Sequence, residues 1–309
     1  MLQYTHEGVY MNSNITKNKI SVIGGDLRQL YMIEELSKSN SEVYSFGLPK
    51  NNRDEINVFC CNSLEQSLSY ADNIILPLPI SSDDVSVLSP LSVETVLIDD
   101  IINLIKNTDK LLLVGKASEN LINKFNENKI KTIDYFNDEQ LNIQNAILTA
   151  EGAVELAIKK TDFSIYGSNC LVTGYGRISK ILSKTLLSMG ANVTVAARNN
   201  KDLNWAEING YIALKIEEIE NYADKFNIIF NTVPSRIIND NIILKLNKNC
   251  LIIELASYPY GVDFEACKNH QIQFIHAASL PGKVAPKSAG IIICKTAINI
   301  FKEENRWKT

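Results

Sequence analysis

This sequence is short of several features that would direct its reading elsewhere. It has no long basic run and carries a formal net charge of −4, so it lacks the electrostatic footprint of a nucleic-acid binder. No apolar run reaches the length that a bilayer-spanning helix needs, and no membrane association is expected. Histidine is scarce. Only His6, His270 and His276 are present, none in an HExxH or comparable cluster, so no metal site is expected. The cysteines, Cys60, Cys61, Cys170, Cys250, Cys267 and Cys294, form no CxxC pair. Most lie in apolar runs and read as buried free thiols of a reducing compartment. The opening stretch, MLQYTHEGVYMNSNITKNK, lacks the charged, apolar, small-residue order of a signal peptide, and a cytoplasmic location is expected.

What is present has the balance of a globular chain, with 45 % hydrophobic and 21 % charged residues, and its 309 residues are enough for two cores. Short apolar runs alternate with amphipathic stretches, the pattern of parallel strands joined by crossover helices. Strands are predicted at 19–25, 42–47, 73–79 and 110–115 in the first half. In the second half they are predicted at 169–174, 192–198, 227–233, 250–256 and 272–277. The series predict an α/β protein with two doubly wound parallel-sheet domains. A flavodoxin- or Rossmann-like substrate domain spans 1–140, and an NAD(P)-binding Rossmann domain spans 141–285. A C-terminal helix over 286–309 returns to the first domain, with Pro286 suited to its first turn. Leu141, Ala146, Ile147, Ala150, Val154 and Ala157 recur mainly at helical spacing, so 138–161 is read as a long helix bridging the domains.

The stretch CLVTGYGRIS, 170–179, ends a predicted strand and opens a predicted helix. Gly174 permits a tight turn, and Gly176 permits close approach of a pyrophosphate. The amides of Tyr175, Arg177 and Ile178 then lie at a helix N-terminus, where unpaired N–H groups and the helix dipole favour an anion. The third position of the fingerprint holds Ser179. A tight turn without a ligand is the alternative. The next strand ends in AAR, where an NAD site usually places an acid. Arg198 there suits a 2′-phosphate and favours NADP, with NAD still open; the alternative is a solvated strand-end arginine. Strand ends at Asn231, Thr232 and Val233, and at Glu254 to Gly261 including Ala256, should face the nicotinamide end of a dinucleotide.

Further stretches gather charge where strands run out. GGDLRQ (24–29) places Arg28 in the first turn of a helix, where the dipole disfavours a cation and an anion would explain it. HAASLPGKVAPKSAG (276–290) combines Ser279, Lys283 and Lys287 with a helix N-terminus, a set suited to carboxylates. Thr149 and Glu151, in LTAEG, could face a cleft or a core. Ordinary surface roles are the alternatives for each.

Taken together, VIGGDLRQ, TAEGAVELAI, VTGYGRISK, AAR, ELASYPYGVDF and SLPGKVAPKSAG make the chain resemble the A subunits of dipicolinate synthases, in order and spacing, from about residue 19 to 302. Members of that family commonly have glycine where Ser179 stands. The resemblance implies a dehydrogenase-like subunit that makes pyridine-2,6-dicarboxylate in the mother-cell cytoplasm during sporulation, for spore heat resistance. Its substrate would be a partly reduced dicarboxylate ring, and its usual partner a smaller, flavoprotein-like B subunit. Self-association is left open. Arg28, Lys283 and Lys287, with Thr149 and Ser279, would bind the carboxylates. His276 is the named proton acceptor, with Glu254, Glu151 or a water as alternatives. Two other readings stand beside this one: another two-domain dehydrogenase of the 2-hydroxyacid, alanine or shikimate type, or a non-catalytic nucleotide-binding subunit.

Overall fold

A computed structural model of the chain describes residues 17–49 and 57–308. The polar opening stretch, through residue 16, lies outside the described residues. Two parallel six-stranded sheets organise the rest. The first contains β1 (Asn18–Ile23), β2 (Ser41–Phe46), β3 (Val58–Cys60), β4 (Asn73–Ile75), β5 (Leu111–Val114) and β6 (Lys131–Asp134), in the order 3-2-1-4-5-6. The second contains β7 (Asn169–Thr173), β8 (Asn192–Ala197), β9 (Ile212–Lys215), β10 (Ile228–Asn231), β11 (Leu251–Glu254) and β12 (Gln273–His276). Its order, 12-11-10-7-8-9, is the same arrangement read from the other edge. This is the dinucleotide-fold order. A flavodoxin-like sheet would run 2-1-3-4-5, so the first sheet is of the Rossmann kind.

The helices are α1 (Leu27–Ser37), α2 (Leu64–Tyr70), α3 (Ile98–Ile105), α4 (Glu119–Glu127), α5 (Glu139–Lys160), α6 (Arg177–Ser188), α7 (Asn200–Ile208), α8 (Asp240–Lys245), α9 (Phe264–Asn269), α10 (Leu280–Val284) and α11 (Pro286–Glu303). The chain forms two compact units. One takes the described residues up to Gly25, Ile33–Ile133 and Ala297 onward; the other takes Asp26–Met32 and Asp134–Thr296. The long helix predicted over 138–161 is α5, which lies wholly within the second unit. Asp138 caps it, its Oδ1 accepting from the Leu141 amide at 2.7 Å. Leu141, Ala146, Ala150, Val154 and Ala157 are buried as expected, whereas Ile147 is 42 % exposed.

In the second unit, successive strand residues feed opposite faces of the sheet. Val172, Phe230 and Ile253 join a core that includes Leu182 of α6 and Ala157 of α5. Their neighbours Leu171, Ile229 and Ile252 join another core, with Ile242 of α8 and Cys267 of α9. Burial on both faces is why these strands read as unbroken apolar runs. Cys170, Cys250, Cys267 and Cys294 are buried and form no disulfide. Burial pushes the Cys250 and Cys267 thiols up to about 12. Cys60 is exposed and Cys61 partly so, which departs from the expectation for this pair. Among the described residues no helix is long and apolar enough to cross a membrane. No group of three or more His, Cys, Asp or Glu residues among them could hold a metal.

Candidate functional site

The glycine turn at the end of β7 has the predicted form. Gly174 has φ +77°, and a Cβ there would lie 2.9 Å from Val233 Cγ2 and 3.1 Å from Thr232 Oγ1. The position therefore needs glycine for its backbone conformation and for its neighbours. Gly176 is the N-cap of α6, and no side chain caps the helix there. A Cβ at Gly176 would meet nothing within 4 Å. The first-turn amides of α6 thus face open space with their hydrogen-bonding capacity unspent. A groove of about 270 Å³ lies over the turn, bounded by Gly174–Gly176, by Thr232–Pro234 after β10, and by Arg198, Asn199 and Asp202 after β8. These features fit a dinucleotide's diphosphate and adenosine ribose.

Ser179, the departure from the fingerprint, is fully buried, and its Oγ donates to the Gly174 carbonyl at 2.6 Å. The hydroxyl closes the turn where glycine or alanine would only fill it. Arg177 directs its side chain to Glu139 at the start of α5, at 2.8 Å and in an exposed pair, so what it offers the groove is its amide. The Tyr175 phenol accepts from Asn209 Nδ2 at 3.2 Å. Burial pushes that phenol's pKa up, and the Asp202 charge adds to the effect. Ile178 occupies the second position of α6.

The adjacent strand ends are stitched together by side chains. Thr173 Oγ1 of β7 donates to Asn231 Oδ1 of β10 at 2.6 Å, and Asn231 Nδ2 donates to Glu254 Oε1 of β11 at 2.7 Å. Asn231 Nδ2 also donates to the Val233 carbonyl at 3.0 Å. The Glu254 carboxylate, 1 % exposed, accepts three more bonds: from the amides of Ala256 (2.8 Å), Gly261 (2.8 Å) and Val262 (3.0 Å). Asn231, Glu254 and the Ala256 amide are therefore spent on holding the strand ends and the 256–262 loop. The groove is met instead by Thr232 and Val233.

A second cluster forms around Arg28, which is 6 % exposed. Asp26 grips its guanidinium on two sides, with Nε to Oδ1 at 2.9 Å and Nη2 to Oδ2 at 2.8 Å. Against it lies Gly282 of the PGK turn, where a Cβ would stand 3.0 Å from Arg28 Nε. The glycine makes room for the guanidinium and brings the loop carrying Lys283 beside it. α10 lies on α5 at Gly152, where a Cβ would be 3.2 Å from Leu280 and Val284 side-chain atoms. The structure therefore gathers Arg28, the Lys283 turn and the Gly152 region of α5. Lys283 and Lys287 are exposed, and no ion pair holds either among the described residues. Ser279 is exposed in the left-handed conformation, φ +57°. Thr149 donates its Oγ1 to the Asn145 carbonyl one turn back, at 2.8 Å, and Glu151 is exposed. His276 ends β12 beside Glu254 in register, and its exposed ring meets the edge of Tyr260 at a centroid distance of 4.5 Å.

Gly282 and Asp202 border the candidate site without a role read from the sequence, and Asp26, legible there only as a helix cap, also grips Arg28. Asp202 had a signal: Asn199 followed by an acid three positions on is a helix-start pattern, and it sets the acid one turn above the strand end.

Two family models match the chain. The N-terminal domain of the dipicolinate synthase A subunit matches residues 19–136, and the NAD binding domain of S-adenosyl-L-homocysteine hydrolase matches residues 146–295. The dipicolinate synthase A subunit of Bacillus subtilis (strain 168) is 32 % identical over 294 residues, spanning 94 % of this chain and 97 % of the relative. The crystal structure of the Bacillus subtilis protein aligns with a TM-score of 0.85 at 32 % identity, covering 94 % of this chain and 97 % of that one. The crystal structure of the corresponding Bacillus halodurans protein gives 0.85 at 27 % identity, covering 93 % and 98 %. A transhydrogenase from Sinorhizobium meliloti, at 11 % identity and a TM-score of 0.70 over 94 % of each chain, is alike in fold alone.

Proposed function

Because the chain belongs to the family of dipicolinate synthase A subunits, we propose that it oxidises dihydrodipicolinate, or its hydrated tetrahydro precursor, to dipicolinate with a nicotinamide dinucleotide, NADP being favoured. The smaller flavoprotein-like B subunit would be its partner, in the mother-cell cytoplasm of a sporulating cell. One observation carries the coenzyme part of this reading: the uncapped N-terminus of α6 opens at Gly176 onto a groove that no side chain fills. The amides of Arg177 and Ile178 would hold the diphosphate, Arg198 the 2′-phosphate, and Thr232 and Val233 the far ribose.

Aromatising a dihydropyridine removes one hydride and one proton; the hydrated tetrahydro precursor would lose a water as well. The nicotinamide ring, when bound, accepts the hydride. The protein's part is to hold two carboxylates and to take the proton. Arg28, fixed by Asp26, is built to present a rigid cation, and Lys283 and Lys287 add mobile ones. Ser279 and Thr149 would add hydroxyls. His276 is the preferred proton acceptor, since its ring makes no hydrogen bond among the described residues and histidine is the commonest general base. Glu254 is set aside as a base, because four donors already occupy its oxygens.

The test is turnover of fresh dihydrodipicolinate by the purified chain, alone and with its B subunit, followed by absorbance of the aromatic product. Lys283→Ala should raise KM about ten- to a hundredfold, the worth of one charge-assisted bond. A two-subunit preparation that forms no dipicolinate with either coenzyme would remove the reading. Undiminished turnover in Lys283→Ala and Arg28→Ala, with coenzyme uptake intact, would move the chemistry to the partner.

A further inference from the structure

We infer that Asp202 is a specificity-determining residue of the coenzyme groove, opposing Arg198 in the choice between a ribose 2′-phosphate and a 2′-hydroxyl. The inference rests on the coenzyme reading above and adds to it how the two coenzymes are divided.

Asp202 is the third residue of α7 and half-buried, and it lines the groove together with Arg198 and Asn199. Its orientation is fixed locally. Asn199 Oδ1 accepts from the Asp202 amide at 2.8 Å, and Asn199 Nδ2 donates to Asp202 Oδ2 at 2.7 Å. That reciprocal pair satisfies one carboxylate oxygen. No hydrogen bond reaches Oδ1 among the described residues. Arg198 is exposed at the end of β8 and forms no ion pair with Asp202 or with any other described acid. Two opposite charges therefore border one groove without cancelling each other.

Their preferences differ by chemistry. A 2′-phosphate is a dianion with acceptors only: the guanidinium attracts it and the carboxylate repels it. A 2′-hydroxyl is neutral and donates one hydrogen bond, which a carboxylate oxygen with a spare lone pair accepts. Arg198 alone would make the groove strongly selective for NADP. With Asp202 facing the same space, the protein should take up both coenzymes, NADP by a modest margin. The two acid positions in a dinucleotide fold are not equivalent. An acid at the strand end replaces a cation there, whereas an acid one helical turn later coexists with it.

Calorimetric titration with NAD and NADP at fixed ionic strength tests this on the full chain. Asp202→Asn keeps an acceptor for Asn199 Nδ2 and removes the charge. It should raise the NADP-to-NAD affinity ratio about tenfold, the worth of one partly exposed charge interaction. Asp202→Glu should hold the ratio near that of the parent, and Arg198→Ala should lower it about tenfold. If Asp202 serves only to cap α7, Asp202→Asn will lower the melting temperature and weaken both coenzymes alike, and the unchanged ratio overturns the inference. Asp202→Glu behaving like Asp202→Asn would also overturn it, since shape rather than charge would then be responsible. A parent protein that takes up neither coenzyme overturns the coenzyme reading itself, an outcome distinct from an unmoved ratio.

Discussion

Glu254 shows how a residue at the right strand end can be committed before any ligand arrives. Its carboxylate accepts from one side-chain amide and three backbone amides while being 1 % exposed. Glu254→Gln keeps the shape but turns one acceptor oxygen into a donor, so at least one of the two pairs of donors loses its partner. Leaving buried N–H groups unpaired should cost about 2–3 kcal/mol. The urea midpoint should fall with an unchanged m value. A Glu254→Gln protein as stable as the parent but inactive would restore Glu254 as the proton acceptor. The role was hidden in the sequence because its partners are the side chain of Asn231, 23 positions away, and amides of a loop that only the fold brings back. Gly174 and Gly176 were legible for the opposite reason. Their requirement is set by the turn itself and is met within a few residues. Arg28 falls between these cases. Its charge in a helix's first turn was visible, whereas the carboxylate grip of Asp26 and the space left by Gly282 were not.

At the scale of elements, the crossing of α1 and α11 is fixed by one missing side chain. A Cβ on Gly290 would stand 2.4 Å from the Arg28 carbonyl oxygen, 2.9 Å from Tyr31 Cβ and 3.1 Å from the Met32 amide nitrogen. Two of these are backbone atoms of a helix, which cannot swing aside as a lysine tip would. Gly290→Ala gains about 1 kcal/mol of helix propensity but must push the helices apart, for a net loss of about 1–3 kcal/mol. Thermal unfolding should show the loss. Because the displaced turn carries Arg28, KM for the proposed dicarboxylate substrate should rise as well. A Gly290→Ala protein with a raised melting temperature would mean that the crossing relaxes freely. The elements differ in how plainly the sequence encodes them. α5 was legible because twenty-two residues of helical periodicity and an Asp138 cap agree. β3 (VFC), β6 (KTID) and β9 (IALK) gave no such signal. All three are edge strands, incompletely buried, and their pairing is dictated by a neighbouring strand rather than by their own apolar pattern.

The whole molecule uses one strand order twice, and the first strand of each sheet ends in a glycine turn that opens a helix. The two turns have opposite fates. In the second sheet the space over Gly176 is open. In the first, the chain has committed a turn amide to its own residues. Gly24 is the counterpart of Gly174, each donating its amide to the end of the neighbouring strand, and a Cβ at either would crowd a side chain; the turns part at the next residue, where the Gly25 amide donates to the Leu88 carbonyl at 2.8 Å. An amide that would otherwise be free for a phosphate is thus spent on the 87–89 segment. Sequence alone could not separate the turns by this criterion, because the plug lies some sixty residues downstream. The physical consequence is a stoichiometry. Titration should give one coenzyme per chain, and Gly176→Val, which fills the open turn after β7, should abolish uptake altogether. Two coenzymes per chain, or residual uptake by Gly176→Val, would mean that the 87–89 segment yields to a ligand. The repeated topology would then be two binding folds rather than one binding fold and one that has closed its own site.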